Sequence, residues 1–166
     1  MSTPLQNGWT NVNFIDPDEL CPPNGKTIRL GEGSYGCCVL RQYQLLNIKV
    51  VEKQSLSNDT KELMKEAQIM QALHHKNIPT ILGVQVQKEP MSLVIEFIGE
   101  QDTSVTISKL LTRQNEETLI QNLENSLTVN DWLIISHNLA EALSHMHSKG
   151  FLPGDLKSNN VLVSNK

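Results

Sequence analysis

The sequence predicts an α+β fold in which an antiparallel sheet with one long helix precedes a mainly helical segment. Three observations support this prediction. Short apolar runs separated by turn residues cluster between residues 26 and 98, which is typical of strands. Two longer stretches, near residues 59–74 and 129–149, repeat apolar residues at helical spacing. The chain has 166 residues, of which 39% are hydrophobic, so it can form a core.

Composition and charge exclude several classes of function. The formal net charge of −4 argues against a surface for nucleic acid or for an anionic membrane. No apolar run is long enough for a secretory signal or a membrane span. The three cysteines, Cys21, Cys37 and Cys38, lack metal-ligand spacing and indicate free thiols in a reducing compartment. We therefore expect a cytoplasmic protein with no nucleic-acid partner and no membrane segment.

The first part of the chain contains the strands. Residues 1–25 are polar and are predicted as a leader that ends in the turn Pro22-Pro23-Asn24-Gly25. The segment KTIRLGEGSYGCCVLRQY predicts strand, loop and strand, and QLLNIKVVE predicts a third strand. A helix is predicted from about Asp59 to His74. The segments TILGVQVQ and MSLVIEFI, which are split by Glu89-Pro90, predict a hairpin.

The second part of the chain is predicted to be mainly helical. A short helix is expected near Ile107–Leu111, followed by a surface insertion in TRQNEETLIQNLENS. A long helix is predicted from Val129 to Lys149, because Thr128 and Asp131 resemble a capping box and Gly150 is a natural stop. Its apolar surface is too wide for one neighbour, so we expect packing partners on more than one side.

The segment GEGSYG places glycines at positions 31, 33 and 36 between two predicted strands. Glycine lets the backbone approach a phosphate closely and direct its amides at the oxygens. The segment is not a dinucleotide fingerprint, because a strand rather than a helix follows it. It is not a Walker loop either, because no Lys-Ser/Thr pair follows the last glycine. Three glycines in a hairpin can also form only a turn, so both interpretations stay open at this point.

Two charged residues stand in apolar surroundings. In LLNIKVV, strand alternation puts Asn47, Lys49 and Val51 on one face. Glu66 lies on the apolar face of the following helix. A charge in such a setting costs free energy unless an opposite charge meets it. We predict an ion pair between Lys49 and Glu66, and the alternative is that each side chain reaches solvent separately.

Near the end of the chain, GFLPGDLKSNNVLV sets Asp155 five residues before Asn160, in a loop that precedes an apolar strand. The glycine hairpin, the strand lysine, the helix glutamate, HHKNI, LVIEFI and this segment, in that order, resemble the eukaryotic-type protein kinase family. The resemblance covers about residues 26–166. It implies a kinase small lobe over 26–98, then the hinge and part of a helical large lobe over 99–166, ending after the catalytic loop.

The resemblance also implies ATP and Mg²⁺ as cofactors and a protein as substrate. Lys49 would hold the α- and β-phosphates and pair with Glu66, and Lys157 resembles the serine/threonine-type pattern. Asp155 would accept or orient the substrate hydroxyl, Asn160 would bind metal, and DLKSNN is closest to the tyrosine-kinase-like branch. The implied nucleotide-binding residues, with Ile95 as gatekeeper, are Leu30, Gly31, Glu32, Gly33, Ser34, Tyr35, Gly36, Cys38, Lys49, Glu66, Glu96, Ile98 and Leu162.

Several positions depart from the family pattern. Pro153 and Gly154 stand where the family usually has His and Arg, Asn47 replaces a small alanine above adenine, and Cys38 replaces a valine. No Asp-Phe-Gly triplet occurs before Lys166. We therefore expect a serine/threonine-type protein kinase domain that is truncated, binds ATP weakly and is inactive as given. The alternatives are a pseudokinase-like module that binds ATP or a partner and, because of Gly154, a small-molecule kinase of the aminoglycoside-phosphotransferase type.

Overall fold

The computed structural model describes residues 12–33, 36–57, 59–112 and 127–164. The chain divides into two compact units. The first unit runs up to His74 and includes Thr80–Phe97, and the second contains His75–Pro79 and Ile98–Lys166. Strands dominate the first unit and helices the second, so the predicted α+β class is confirmed.

An antiparallel sheet of six strands forms the first unit. The strands are β1 (Leu20–Cys21), β2 (Ile28–Gly33), β3 (Gly36–Tyr43), β4 (Ile48–Ser55), β5 (Ile81–Gln85) and β6 (Ser92–Glu96). Their order is β1-β3-β4-β6-β5, and β2 also pairs with β3. The predicted strand-loop-strand segment, third strand and hairpin are therefore confirmed.

Helix α1 (Thr60–Ala72) packs against β5 and β6. It begins after Asp59, whose side chain accepts a hydrogen bond of 2.8 Å from the backbone N–H of Lys61. This is a typical N-cap, because it satisfies one of the amides that the first helical turn leaves without a partner. The buried face of α1 joins apolar residues of the sheet in one cluster, which contains Val12, Leu63, Met64, Ala67, Val84, Met91 and Leu93.

The predicted leader covers residues 1–25, of which residues 1–11 lie outside the described residues, whereas residues 12–25 are built into the first unit. The backbone N–H of Val84 donates to the carbonyl of Asn13 at 2.8 Å, and that of Ile15 donates to the carbonyl of Val84 at 2.9 Å. Residues 13–15 therefore run along β5, and β1 then pairs with β3. Polar residues separate the buried apolar residues of this segment, so no apolar run reveals them in the sequence. The turn at Pro23–Gly25 is formed as predicted.

Strand β4 also carries a buried carboxylate on the face of the sheet that packs against Ile15 and Leu20. Glu52 is 6% exposed. Its Oε2 lies 2.7 Å from Nε of Arg41, and its Oε1 accepts a hydrogen bond of 3.1 Å from the hydroxyl of Ser92. Charges taken out of water need such partners, because their lost hydration is otherwise not replaced.

Replacing Arg41 with Met is expected to destabilise the chain by about 3–5 kcal/mol, because it leaves the buried carboxylate of Glu52 without its cation. Adding Glu52→Leu to Arg41→Met is expected to recover most of that loss, because both charges are then removed. Urea unfolding of the two variants and the wild type measures the free energies. A double variant that is less stable than Arg41→Met alone would contradict this account of the pair.

The second unit is mainly helical. Its elements are β7 (Val105–Thr106), α2 (Ile107–Thr112), α3 (Val129–Ser148), a 3₁₀ turn (Ser158–Asn160) and β8 (Leu162–Val163). Strands β7 and β8 pair antiparallel, and Val105 and Leu110 form a core with Leu127, Trp132 and Val163. The predicted short helix is thus α2. The predicted surface insertion lies almost wholly outside the described residues.

Both ends of α3 are capped as predicted. The backbone N–H of Asp131 donates to Oγ1 of Thr128 at 3.2 Å, and the backbone N–H of Thr128 donates to Oδ2 of Asp131 at 2.7 Å. At the other end Gly150 has φ of +80°, and the N–H of Phe151 bonds the carbonyl of Met146 at 3.0 Å. Together with the bond from the N–H of Gly150 to His147, this is a Schellman motif.

Part of the apolar surface of α3 is open to solvent. Leu133 is 63% exposed and Ile134 is 50% exposed among the residues that the structure describes. The wide apolar surface predicted from the sequence is therefore present. In the described ranges, no helix is long and apolar enough to cross a membrane.

The segment His75–Pro79 is bound to α3 within the second unit. The side-chain amide of Asn77 donates to the carbonyl of Asn138 at 2.9 Å, and Nζ of Lys76 lies 2.9 Å from Oε2 of Glu141. The hydrogen bond from Lys76 contributes most to lowering the pKa of Glu141. This short segment therefore belongs to the helical unit, although strands of the first unit follow it in the sequence.

Candidate functional site

Glu66 forms its ion pair with Lys53, so the prediction of a pair with Lys49 is wrong. Nζ of Lys53 on β4 lies 2.5 Å from Oε1 of Glu66 on α1. Lys49 lies on the same face of β4, opposite Gln42 of β3. It precedes Lys53 by four residues, which is about 13 Å along a strand. Strand alternation therefore identified the correct face but not the correct residue.

A sequence motif could have identified Lys53. In protein kinases the strand lysine ends the motif Val-Ala-Ile-Lys, and Val50-Val51-Glu52-Lys53 matches its first and last positions. Val51, not Asn47, then stands in place of the alanine. Asn47 lies in the turn before β4 with φ of +52°, and its Oδ1 accepts a hydrogen bond of 3.1 Å from Gln42. The expectation that Asn47 crowds adenine is therefore wrong.

Strands β2 and β3 present the glycine segment. Gly31 lies opposite Cys38, and Gly33 lies opposite Gly36. Gly36 has φ of +132°, and a Cβ at this position would lie 1.8 Å from the carbonyl oxygen of Gln54, so only glycine fits. Gly31, Glu32 and Gly33 are exposed and accessible to a ligand. Ser34 and Tyr35, which the resemblance assigns to nucleotide binding, lie outside the described residues.

Cys38 lies directly across the strand pair from Lys53. Burial raises the pKa of the Cys38 thiol and is the largest effect on it. Lys53 opposes this shift, while Cys37 and Glu66 add to it. The structure thus brings together Lys53 with Cys38 and Glu66, the two of these residues that the resemblance assigns to nucleotide binding.

The predicted hinge residues make structural contacts within their own units. Ile95 lies opposite Val51, and Oε2 of Glu96 accepts a hydrogen bond of 3.1 Å from the backbone N–H of Thr80. Ile98 belongs to the second unit, where its carbonyl accepts a hydrogen bond of 2.7 Å from the hydroxyl of Ser104. The nucleotide-binding roles of Glu96 and Ile98 stay predictions.

The two leucines predicted to sandwich the adenine ring differ in burial. Leu30 on β2 is half-buried, and Leu162 on β8 is exposed. Val163, the neighbour of Leu162, enters the core of the second unit. Because side chains alternate along a strand, this orientation keeps Leu162 accessible to a ligand.

Asp155, Lys157 and Asn160 form one polar cluster in the second unit. Nζ of Lys157 lies 2.8 Å from Oδ2 of Asp155. The side-chain amide of Asn160 donates to the carbonyl of Asp155 at 2.8 Å and to its Oδ2 at 3.1 Å. The 3₁₀ turn brings Asn160 back to Asp155, which explains why five residues separate them.

The cluster lowers the pKa of Asp155 and so favours its ionised form. The hydrogen bond from Lys157 contributes most to lowering the pKa of Asp155, and the hydrogen bond from Asn160 and the charge of Lys157 add to this shift. Because folding lowers this pKa, the ionised carboxylate contributes favourably to the stability of the folded state at neutral pH. That contribution is lost as the pH falls through the folded-state pKa.

Comparison with known proteins identifies the family. Residues 26–166 match the family model described as protein tyrosine and serine/threonine kinase. The chain belongs to the protein kinase family. Its members are enzymes that transfer phosphate from ATP to proteins, generally with Mg²⁺. The resemblance predicted from the motifs is therefore confirmed, even though Lys49 and Asn47 were wrongly assigned.

Similar proteins include kinases of different specificity. CTD kinase subunit alpha of Schizosaccharomyces pombe is 26% identical over 153 residues, which are 87% of this chain and 23% of that protein. Tyrosine-protein kinase ZAP-70 of Homo sapiens is 30% identical over 145 residues, 84% of this chain and 21% of that protein. The chain thus spans less than a quarter of the length of these relatives.

The variant Lys157→Ala is expected to raise the pKa of Asp155, because it removes the hydrogen bond that lowers it most. Asn160→Ala is the matched control and is expected to raise that pKa less. Carbon-13 NMR titration of the aspartate carboxyl groups measures both shifts. An unchanged pKa of Asp155 in Lys157→Ala would show that the cluster does not form in solution.

Proposed function

We propose that this chain binds ATP with Mg²⁺ and provides the nucleotide-binding strands and the catalytic loop of a serine/threonine-type protein kinase domain. The observation that carries the proposal is the cluster of Asp155, Lys157 and Asn160. In protein kinases one catalytic loop holds the aspartate that accepts the proton of the substrate hydroxyl and the asparagine that binds Mg²⁺. Asp155 and Asn160 have this arrangement, and Lys157 adds a cation beside the aspartate.

The first unit supplies a site for phosphates. Lys53 is 31% exposed, so it can contact a ligand without leaving Glu66. The exposed glycines of β2 are close to Lys53 in the sheet. Gly31 lies opposite Cys38 of β3, and Cys38 lies opposite Lys53 of β4. In protein kinases a glycine-rich loop covers the phosphates and the strand lysine binds them. These contacts support ATP as the ligand.

The second unit supplies the groups for the transfer. Asp155 would accept or orient the hydroxyl of the protein substrate, and Lys157 would neutralise negative charge beside it. Both hydrogen bonds from Asn160 to Asp155 use its amide nitrogen, which leaves its carbonyl oxygen as a ligand of the type that Mg²⁺ prefers. Bound Mg²⁺ would neutralise charge on the phosphates.

Two finer assignments rest on single features. Lys157, two residues after Asp155, favours serine or threonine over tyrosine as the acceptor, while the relatives include kinases named for tyrosine. All three cysteines are free thiols, which favours the cytoplasm as the location.

A second candidate function is a pseudokinase-like module that binds nucleotide without useful transfer. Pro153 and Gly154 favour it, because they replace the His and Arg that usually precede the catalytic aspartate. A Cβ at Gly154 would meet no atom within 4 Å, so packing does not require glycine there.

Nucleotide binding is tested with two lysine variants on the same face of β4. Lys53→Met is expected to weaken the binding of Mg-ATP about tenfold or more, which corresponds to about 1.4 kcal/mol. Lys49→Met is the matched control and is expected to change the affinity less than about twofold. Calorimetric titration measures both. An equal loss in the two variants would show that Lys53 has no special role.

Phosphate transfer distinguishes the two candidate functions. A kinase is expected to phosphorylate serine or threonine in a peptide library at a low rate, and Asp155→Asn should lower this rate by about 10² to 10⁴-fold. Radioactive transfer from ATP to libraries with Ser/Thr or Tyr acceptors measures rate and specificity. Binding of Mg-ATP with no transfer that depends on Asp155 would favour the binding module instead.

A further inference from the structure

The segment 12–25, which we call the strap, lies before the residues that match the kinase family. It is attached to both edges of the sheet. Near its start it bonds to Val84 of β5, and near its end β1 pairs with β3. Between these points, Oδ1 of Asp18 lies 2.6 Å from Nζ of Lys88. The strap therefore crosses the face of the sheet that is opposite α1.

Gly83 of β5 makes room for the strap. A Cβ at Gly83 would lie 2.5 Å from the carbonyl oxygen of Asn13 and 2.9 Å from Cγ1 of Ile15. The side chain of Asn13 also donates a hydrogen bond of 3.2 Å to the carbonyl of Leu82. A glycine inside a strand is typical of a place where another backbone approaches closely. The absence of a side chain at Gly83 thus allows the strap to pack against β5.

Two apolar residues of the strap enter different cores. Val12 is 7% exposed and lies in the cluster that holds the buried face of α1. Ile15 is 2% exposed and lies in the cluster on the opposite face of the sheet, with Tyr43, Val50 and Val94. Of these two residues, Val12 is the one that shares a cluster with the helix that carries Glu66.

The position of α1 decides whether Glu66 reaches Lys53. Glu66 precedes Ala67, which is fully buried in the same cluster as Val12. Loss of packing in this cluster would let α1 move relative to β4, because close-packed side chains fix a helix on a sheet. The pair itself is half-exposed and contributes little to holding the helix.

We propose that the strap holds α1 in the position in which Glu66 contacts Lys53. Val12 is the positioning residue, and Gly83 leaves the space in which the strap packs on the sheet. The inference rests on the proposed function, because the pair matters for phosphate binding. A strap that is displaced from Gly83 would loosen α1 and lower the affinity for nucleotide. The strap is in this way a control element of the small lobe, built from residues outside the family match.

Hydrogen exchange tests the holding of α1 in the full chain. Val12→Ala and Gly83→Ala are expected to speed exchange of the α1 amides about tenfold relative to those of β4, because local opening becomes easier. Ile15→Ala is the matched control. It removes a larger side chain from the same strap but spares the α1 cluster, so the ratio should change less than about twofold. If Ile15→Ala does not fold, Ile15→Val replaces it.

A second measurement follows the ion pair. Glu66→Gln is expected to weaken Mg-ATP binding about tenfold in the wild type and in the Ile15 variant, but less than about twofold in Val12→Ala, where the pair is already lost. The role of the strap would be overturned if Glu66→Gln weakened Mg-ATP binding equally in the wild type and in both strap variants. It would also be overturned if the ratio of α1 to β4 exchange were equal in all variants. A wild type that binds no Mg-ATP would overturn the proposed function, while the exchange ratios would still decide on the strap.

Discussion

The ion pair between Lys53 and Glu66 joins the two elements on which the first unit depends, a central strand and the helix that packs on the sheet. Its side chains are 31% and 45% exposed. Water screens such a pair, so it adds little to the stability of the fold. The pair can exist only because the cores on both sides place β4 and α1 correctly. The ion pair therefore depends on the packing of the small lobe and does not determine that packing.

Strand β4 carries two ion pairs that serve different ends. Glu52 faces the core beneath the strap and is bound to Arg41 with almost no access to water. Lys53, the next residue, faces the opposite side and stays accessible. Because neighbouring residues of a strand point to opposite faces, one strand contributes a buried pair to the core and a partly exposed pair to the other face. Adjacent positions on β4 thus place one charge in the interior and the next within reach of solvent.

Local signals in the sequence predicted much of the fold and part of the site. The ends of α1 and α3 could be predicted because their capping residues are local signals. Asp59, Thr128 and Gly150 interact with backbone groups within one helical turn. The loop from Asp155 to Asn160 was also found from local spacing. The choice between Lys49 and Lys53 was wrong, because both fit the same alternation and only the packing of α1 against the sheet selects one. The strap was missed for a similar reason, since its burial depends on two edges that are distant in sequence.

The strap also changes what the sheet offers to other chains. Strand β5 is last in the order of the sheet, and a strand in this place presents backbone amides and carbonyls that can pair with a foreign strand. Residues 13–15 occupy that position through the bonds between Asn13, Ile15 and Val84. They leave fewer of these groups available for edge-to-edge association. The same few residues thus protect the small lobe against the aggregation to which open sheets are prone.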